Sequence, residues 1–255
     1  GMPAWFALVC AVCLIGAVFA AVHHAEVIAG RLGEPVGPLV LAIAVTVIEV
    51  GLIASIMLGF GEPKPTLARD TVFAAVMIVC NGLVGLCIFI GGWRYREQDF
   101  QISGANLYLS MLFVLATITL ALPNFTLTSP GPVYSKAQLV VVSTFTLLLY
   151  VMFLYTQTVR HRDYFVGGAN DAAAHGEAMS DGMLAISVAL LLLSLLAVVL
   201  LAKKFSVVVD VVTIKLGAPA AFAGLLVAIL ILLPESVAAL SAARRNDLQK
   251  SINLA

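Results

Sequence analysis

The sequence predicts an all-α polytopic membrane protein built from inverted-topology five-helix repeats, the second of them incomplete. Three observations lead there. The 255 residues are 62% hydrophobic and only 11% charged, against about 45–50% and about 25% in ordinary soluble domains. Seven apolar runs are each long enough to cross a bilayer, which takes about 20 residues. A ten-residue phrase, "EVIAGRLGEP" at 26–35, returns as "DVVTIKLGAP" at 210–219.

The runs lie near 3–22, 37–60, 71–93, 105–122, 137–159, 182–202 and 218–240, and are lettered A to G. None shows the two-residue alternation of a membrane β-barrel strand. Run A lacks a positively charged leader and other spans follow it, so it reads as a span rather than a signal peptide. Short segments rich in Pro, Gly and charge separate the runs, for example "GEPKPTLARD" (61–70) and "TSPGPVYSK" (128–136).

Three regions follow. Residues 1–159 hold spans A to E, the first five-helix repeat. Residues 160–181, "RHRDYFVGGANDAAAHGEAMSD", form a polar linker, and 182–255 hold spans F, G and the start of H. The linker composition is that of a flexible, solvated spacer. It could also offer His161, Asp171, His175, Glu177 and Asp181 to a cation.

Charge sets the orientation. Eight Lys/Arg follow spans A, C, E and G (Arg31, Arg94, Arg96, Arg160, Arg162, Arg244, Arg245, Lys250), and six follow B, D and F. The positive-inside rule then places the first set in the cytoplasm and the N-terminus outside. A net charge of zero and the absence of basic clusters interleaved with aromatics argue against a nucleic-acid partner. The partners expected are the lipid bilayer and inorganic cations with protons; a homo-oligomer is compatible with the sequence. All four cysteines, including the Cys10/Cys13 CxxC, lie inside apolar runs and read as buried or lipid-facing thiols. An embedded enzyme is not expected. His23 and His24 are adjacent, without the spacing of a metalloprotease, and no GxSx stretch is paired with a membrane His. No symmetric pore loop suggests a channel.

The doubled phrase fixes the architecture. Both copies carry an acid (Glu26, Asp210), a base, Leu-Gly (Gly33, Gly217) and a proline (Pro35, Pro219), at a constant offset (210 − 26 = 219 − 35 = 184). One copy joins A to B and the other F to G, so the repeat unit is five spans. Five is odd, so the second unit is inserted upside down, a recurring plan of secondary transporters whose binding site lies near the midplane. Gly33-Glu-Pro35 and Gly217-Ala-Pro219 are candidate hinges. Glu26 and Asp210, at the span ends, are candidate acids for cation access.

The plan requires matching functional residues in B and G, and each carries one acid: Glu49, 14 residues after Pro35, and Glu235, 16 after Pro219. Both fall about 21–24 Å along a helix from the shared proline, and the two-residue difference implies an insertion or a break in the second copy. An ionised acid at mid-bilayer costs roughly 2.5–3.5 kcal/mol on insertion scales. Two at matching places read as a cation- and proton-binding pair that titrates as a unit. Thr46, one turn before Glu49, could add an oxygen or bond its own backbone. Pro234 leaves the Leu230 carbonyl without its helical donor, an oxygen of the kind Ca²⁺ prefers. Ser236 and Ser55 are further oxygens. In span C, "CNGLVGLCIFIGG" supplies Asn81 and glycines at 82, 85, 91 and 92 that permit close helix approach. Asn253, near the chain end, is its repeat counterpart if span H begins there.

On these stretches, "HAEVIAGRLGEPVGPLVLAIAVTVIEV" (24–50), "RDTVFAAVMIVCNGLVGLCIFIGG" (69–92) and "APAAFAGLLVAILILLPESVAAL" (218–240), the chain resembles the cation/Ca²⁺ exchanger superfamily. Within it the chain is most similar to the bacterial calcium/proton antiporters of the ChaA type. The resemblance implies two inverted five-helix repeats, an essential acid from the second helix of each (Glu49 and Glu235), and polar residues of the third helices (Asn81 and Asn253) beside them. It also implies three helices beyond those in the sequence. The function expected is antiport of Ca²⁺, or alternatively Na⁺ or K⁺, against H⁺ by alternating access, in a bacterial inner membrane and with no cofactor beyond the transported ions.

Overall fold

The computed structural model describes residues 4–33, 36–58, 66–160 and 180–254. Pro35 and most of the expected linker, with His161, Asp171, His175 and Glu177, lie outside the described residues. The described residues form helices α1 (Ala4–Leu32), α2 (Val36–Met57), α3 (Leu67–Tyr95), α4 (Ile102–Phe125), α5 (Lys136–Arg160) and α6 (Asp181–Lys215). Then come α7 (Ala221–Ile231), α8 (Leu233–Arg244) and α9 (Leu248–Leu254). Helices α1 to α6 are each long and apolar enough to span a membrane, and α7 with α8, bent by 53° at their junction, pass the same test as a pair, the geometry of a broken span or a re-entrant loop. The protein is an integral membrane protein.

Two spans are longer than hydropathy suggests. Run A continues to Leu32, and run F continues from residue 202 to Lys215, giving a helix of 35 residues. At 1.5 Å per residue α6 is about 52 Å long, well over the roughly 30 Å hydrocarbon core. Lys203 and Lys204, two of the six Lys/Arg counted above as following spans B, D and F, therefore lie on this helix. Apolar runs stop at the first charges; a helix does not, because long Lys side chains reach the interface from inside it.

The doubled phrase turns out to be a helix ending. Glu26 and Arg31 are on the last turns of α1, and Asp210 and Lys215 on those of α6. Gly33 and Gly217 then take φ of 64° and 61°, a left-handed conformation that glycine adopts without a Cβ clash. The Gly217 N–H donates to the Ile214 carbonyl at 3.1 Å and the Ala218 N–H to that of Thr213 at 3.0 Å, the Schellman pattern. In the first copy the Gly33 N–H donates to the Ala29 carbonyl at 3.1 Å, the simpler single-bond version. Arg31 and Lys215 in the last turns suit the negative helix end.

Helices α1 and α6 make the most extensive contact in the molecule. They run antiparallel, since Arg31 at the end of α1 pairs with Asp181 at the start of α6 at 3.3 Å. Their buried positions share the repeat offset: Leu14 with Val198, Val18 with Ala202, Ala25 with Val209. Small residues such as Ala21, Ala25 and Ala202, each fully buried, let the two backbones approach closely, as membrane helices without a hydrophobic driving force require. Ile48, Leu52 and Ile56 of α2 and Val227 of α7 complete the central core. Helix α5 lies outside it, with no buried residue among those described.

The end of α3 meets the end of α8. The Tyr95 hydroxyl donates to the Arg244 carbonyl at 2.7 Å and Gln98 Nε2 to Asn246 Oδ1 at 3.1 Å. Spans C and G thus finish at the same end of the bundle, as an inverted repeat demands. The glycines of span C behave differently from expectation. A Cβ at Gly82, Gly85 or Gly92 would meet nothing within 4 Å, and one at Gly91 would meet only the Gln98 side chain. The close approach onto α3 is made by Gly224 of α7, packed on the backbone at Asp70 and Thr71.

Candidate functional site

Helix α2 runs unbroken through Glu49, with Ile48 and Leu52 buried beside it. The matching span is broken. Helix α7 stops at Ile231, Leu232 makes the turn, and α8 restarts at Leu233 with Pro234 in its first turn. The proline nitrogen has no hydrogen to give the Leu230 carbonyl, and its ring forbids a straight continuation. The break falls between Pro219 and Glu235, the interval that is two residues longer than its counterpart in the first copy.

It also changes the surroundings of the acid. Glu235 sits in the first turn of α8, where unbonded N–H groups and the helix dipole favour negative charge. Glu49 sits in mid-helix. Broken spans whose half-helix ends point at the substrate are a recurring device of transporters.

Both carboxylates line one small cavity of ≈ 10 Å³, about the space of a single water. Its remaining walls are apolar: Val18 and Val22 of α1, Val45, Ile48 and Leu52 of α2, and Ile231 with Pro234 of the broken span. Glu235 Oε2 is buried there with no hydrogen-bond partner among the described residues. An apolar-walled pair of carboxylates can hold a cation or protons, and it has few other ways to settle two negative charges.

The other expected site residues are placed elsewhere. Thr46 donates to the Ala42 carbonyl at 2.8 Å and is 3.1 Å from the Tyr150 hydroxyl. A threonine has one hydroxyl proton, so Tyr150 donates to Thr46. Asn81 is exposed on a π-helical turn of α3, Ile78–Leu83, and its amide donates to the Met77 carbonyl at 3.2 Å. Asn253 Oδ1 on α9 accepts from Gln249 at 3.1 Å. Ser236 is half-buried beside Glu235, and Ser55 is buried and donates to the Gly51 carbonyl at 2.5 Å. None of these five lines the cavity. Glu26 is exposed on α1, Asp210 is half-buried on α6, and Pro219, exposed, leads into α7. Among the described residues no group of three or more His, Cys, Asp and Glu is placed to hold a metal, so the two glutamates are the whole charged complement of the cavity.

Sequence reasoning missed Tyr150 and the two valines of α1. The valines carry no signal in an apolar run. Tyr150 carried one, a hydroxyl well inside span E, and that hydroxyl joins the peripheral α5 to the site helix. Thr46→Ala and Tyr150→Phe are each expected to lower stability by about 1 kcal/mol. A double-mutant cycle read by unfolding in detergent should show coupling of about 0.5–1.5 kcal/mol; additive losses would mean that the two hydroxyls do not interact.

Comparison with known proteins gives the family. The sodium/calcium exchanger protein family matches residues 2–159. "Putative ionic transporter y4hA" of Sinorhizobium fredii is 47% identical over 241 residues, covering 94% of this chain. The sodium-potassium/proton antiporter ChaA of Escherichia coli is 36% identical over 246 residues, also covering 94%. The chain spans 66% of the length of each of these relatives. A crystal structure of the H⁺/Ca²⁺ exchanger CAX has the same fold, with a TM-score of 0.72 at 17% identity, over 100% of this chain and 63% of that one. With a family match over more than half of its length, in a bundle whose two long antiparallel helices flank a pair of membrane glutamates, the chain belongs to the sodium/calcium exchanger family.

Proposed function

We propose that the protein is a cation/proton antiporter of a bacterial inner membrane that exchanges Ca²⁺ for H⁺ at Glu49 and Glu235. The observation that carries this reading is the shared cavity: one carboxylate from each inverted half, apolar walls, and a buried Glu235 oxygen without a partner. One divalent cation neutralises the pair, and so do two protons. Each state can therefore cross a low-dielectric region, whereas the bare pair is penalised. Protons displace the cation and the cation displaces protons.

Alternating access follows from the helices around the cavity. Helix α1 supplies the wall at Val18 and Val22 and packs along α6. Displacement of this antiparallel pair against α2, α7 and α8 would change which end of the cavity is open, with the glycine turns at Gly33 and Gly217 as pivots. Both curated relatives are bacterial proteins.

A second reading, Na⁺ or K⁺ against H⁺, is favoured by the name of the E. coli relative. Charge balance favours the divalent ion, since a monovalent one leaves one carboxylate unneutralised. Uptake of radiolabelled Ca²⁺ and Na⁺ by proteoliposomes under an imposed pH gradient separates them. Ca²⁺ uptake well above Na⁺ uptake is expected. Na⁺ uptake alone would replace the first reading by the second, and uptake of neither ion, nor of K⁺, would overturn both.

A further inference from the structure

Away from the glutamate cavity, the shared end of α3 and α8 carries an open groove of ≈ 650 Å³ lined by Phe89, Ile90, Trp93, Arg94 and Arg244. We propose that this groove binds the headgroup phosphate of an anionic phospholipid, with the acyl chains along Phe89 and Trp93. The inference is independent of which ions the protein moves.

The chemistry is bipartite. Trp93 is 82% exposed and Phe89 63% exposed, on the outer face of a membrane-spanning helix, and tryptophan prefers the headgroup level of a bilayer. The two guanidiniums come from different helices, Arg94 from the last turn of α3 and Arg244 from the last turn of α8. Among the described residues neither makes an ion pair. Arg94 lies 5.6 Å from the Tyr95 ring centroid, and the Tyr95 hydroxyl holds the Arg244 main chain, so the two helix ends are tied together. The acids nearest in sequence, Glu97 and Asp99 after Arg94 and Asp247 after Arg244, do not line the groove, and Asp247 Oδ1 accepts from the Lys250 N–H at 2.9 Å. Arginine suits phosphate through its planar fork of donors. The result is an apolar, aromatic wall capped by two uncompensated cations at a helix end, complementary to a lipid with a negative headgroup.

Trp93 is itself the probe, because the chain has two tryptophans and Trp5→Phe leaves it alone. The variant is placed in phosphatidylcholine nanodiscs containing a small fraction of brominated phosphatidylglycerol or, in parallel, brominated phosphatidylcholine. Quenching of Trp93 should report local enrichment of the anionic lipid by about fivefold or more, the factor that a single near-surface arginine supplies. Arg94→Gln with Arg244→Gln should equalise the two lipids. The Tyr95 bond is to the Arg244 main chain and survives that change. Arg96→Gln with Arg245→Gln removes the same charge outside the groove and should leave the preference in place. Equal quenching in the parent, equal loss in the two double variants, or displacement by inorganic phosphate would each overturn the proposal. The first means no anionic-lipid preference, the second bulk attraction only, and the third a free-anion site.

Discussion

Glu49→Gln and Glu235→Gln, each alone, are expected to reduce pH-gradient-driven cation uptake to the level of empty vesicles while leaving folding and membrane insertion intact. Glutamine keeps the size of the side chain and one carbonyl oxygen, but it carries no charge and cannot exchange a proton in this range. The cavity walls offer nothing to replace it, since every residue other than the two glutamates is apolar. The remaining carboxylate would then face a divalent cation alone. The effect should appear as a lost flux rather than a lost protein, because an amide costs less to bury than an ionised acid. The discriminating readout is uptake in everted vesicles alongside the amount of protein in the same membranes. Normal ΔpH-driven uptake by either variant would remove the assignment of the pair as the transport site. Lost uptake with lost protein would instead point to a structural role.

Gly224→Ala is expected to force α3 and α7 apart and to lower stability and transport together. A Cβ there would stand 2.7 Å from the Asp70 main-chain carbon and 2.8 Å from both the Asp70 Cβ and the Thr71 nitrogen. Those atoms belong to the backbone and first side-chain carbon of α3, so they cannot swing aside; the helices themselves must separate. Overpacking of this kind costs about 1–3 kcal/mol. The displacement would pass along α7 into the break at Leu232 and so to Glu235, so transport should fall along with thermal stability in detergent. Gly82→Ala and Gly85→Ala are the internal comparison, because nothing lies within 4 Å of either added Cβ. Equal melting temperatures for Gly224→Ala and Gly82→Ala would show that α3 and α7 do not pack as described.

The sequence by itself determined the membrane character, the places of the long apolar spans and the inverted plan. Hydropathy measures a transfer free energy that belongs to each residue, and a repeat at a constant offset is visible without knowing any contact. The two glutamates were legible for the same reason: an acid inside an apolar run is expensive wherever its helix turns. Partner choice was not legible, because it depends on rotation and on neighbours distant in sequence. Thr46 and Glu49 are three residues apart, which leaves them about 60° apart around an α-helix. That rotation is enough for Glu49 to face Glu235 while Thr46 faces Tyr150, 104 residues away. The glycines of span C looked like a packing face, yet the close contact on α3 comes from Gly224, whose role only the position of Asp70 and Thr71 reveals. The doubled phrase shows the same division. Its recurrence gave the topology, and only the positive φ at Gly33 and Gly217 showed that it ends two helices, since capping is defined by backbone groups that the letters do not carry.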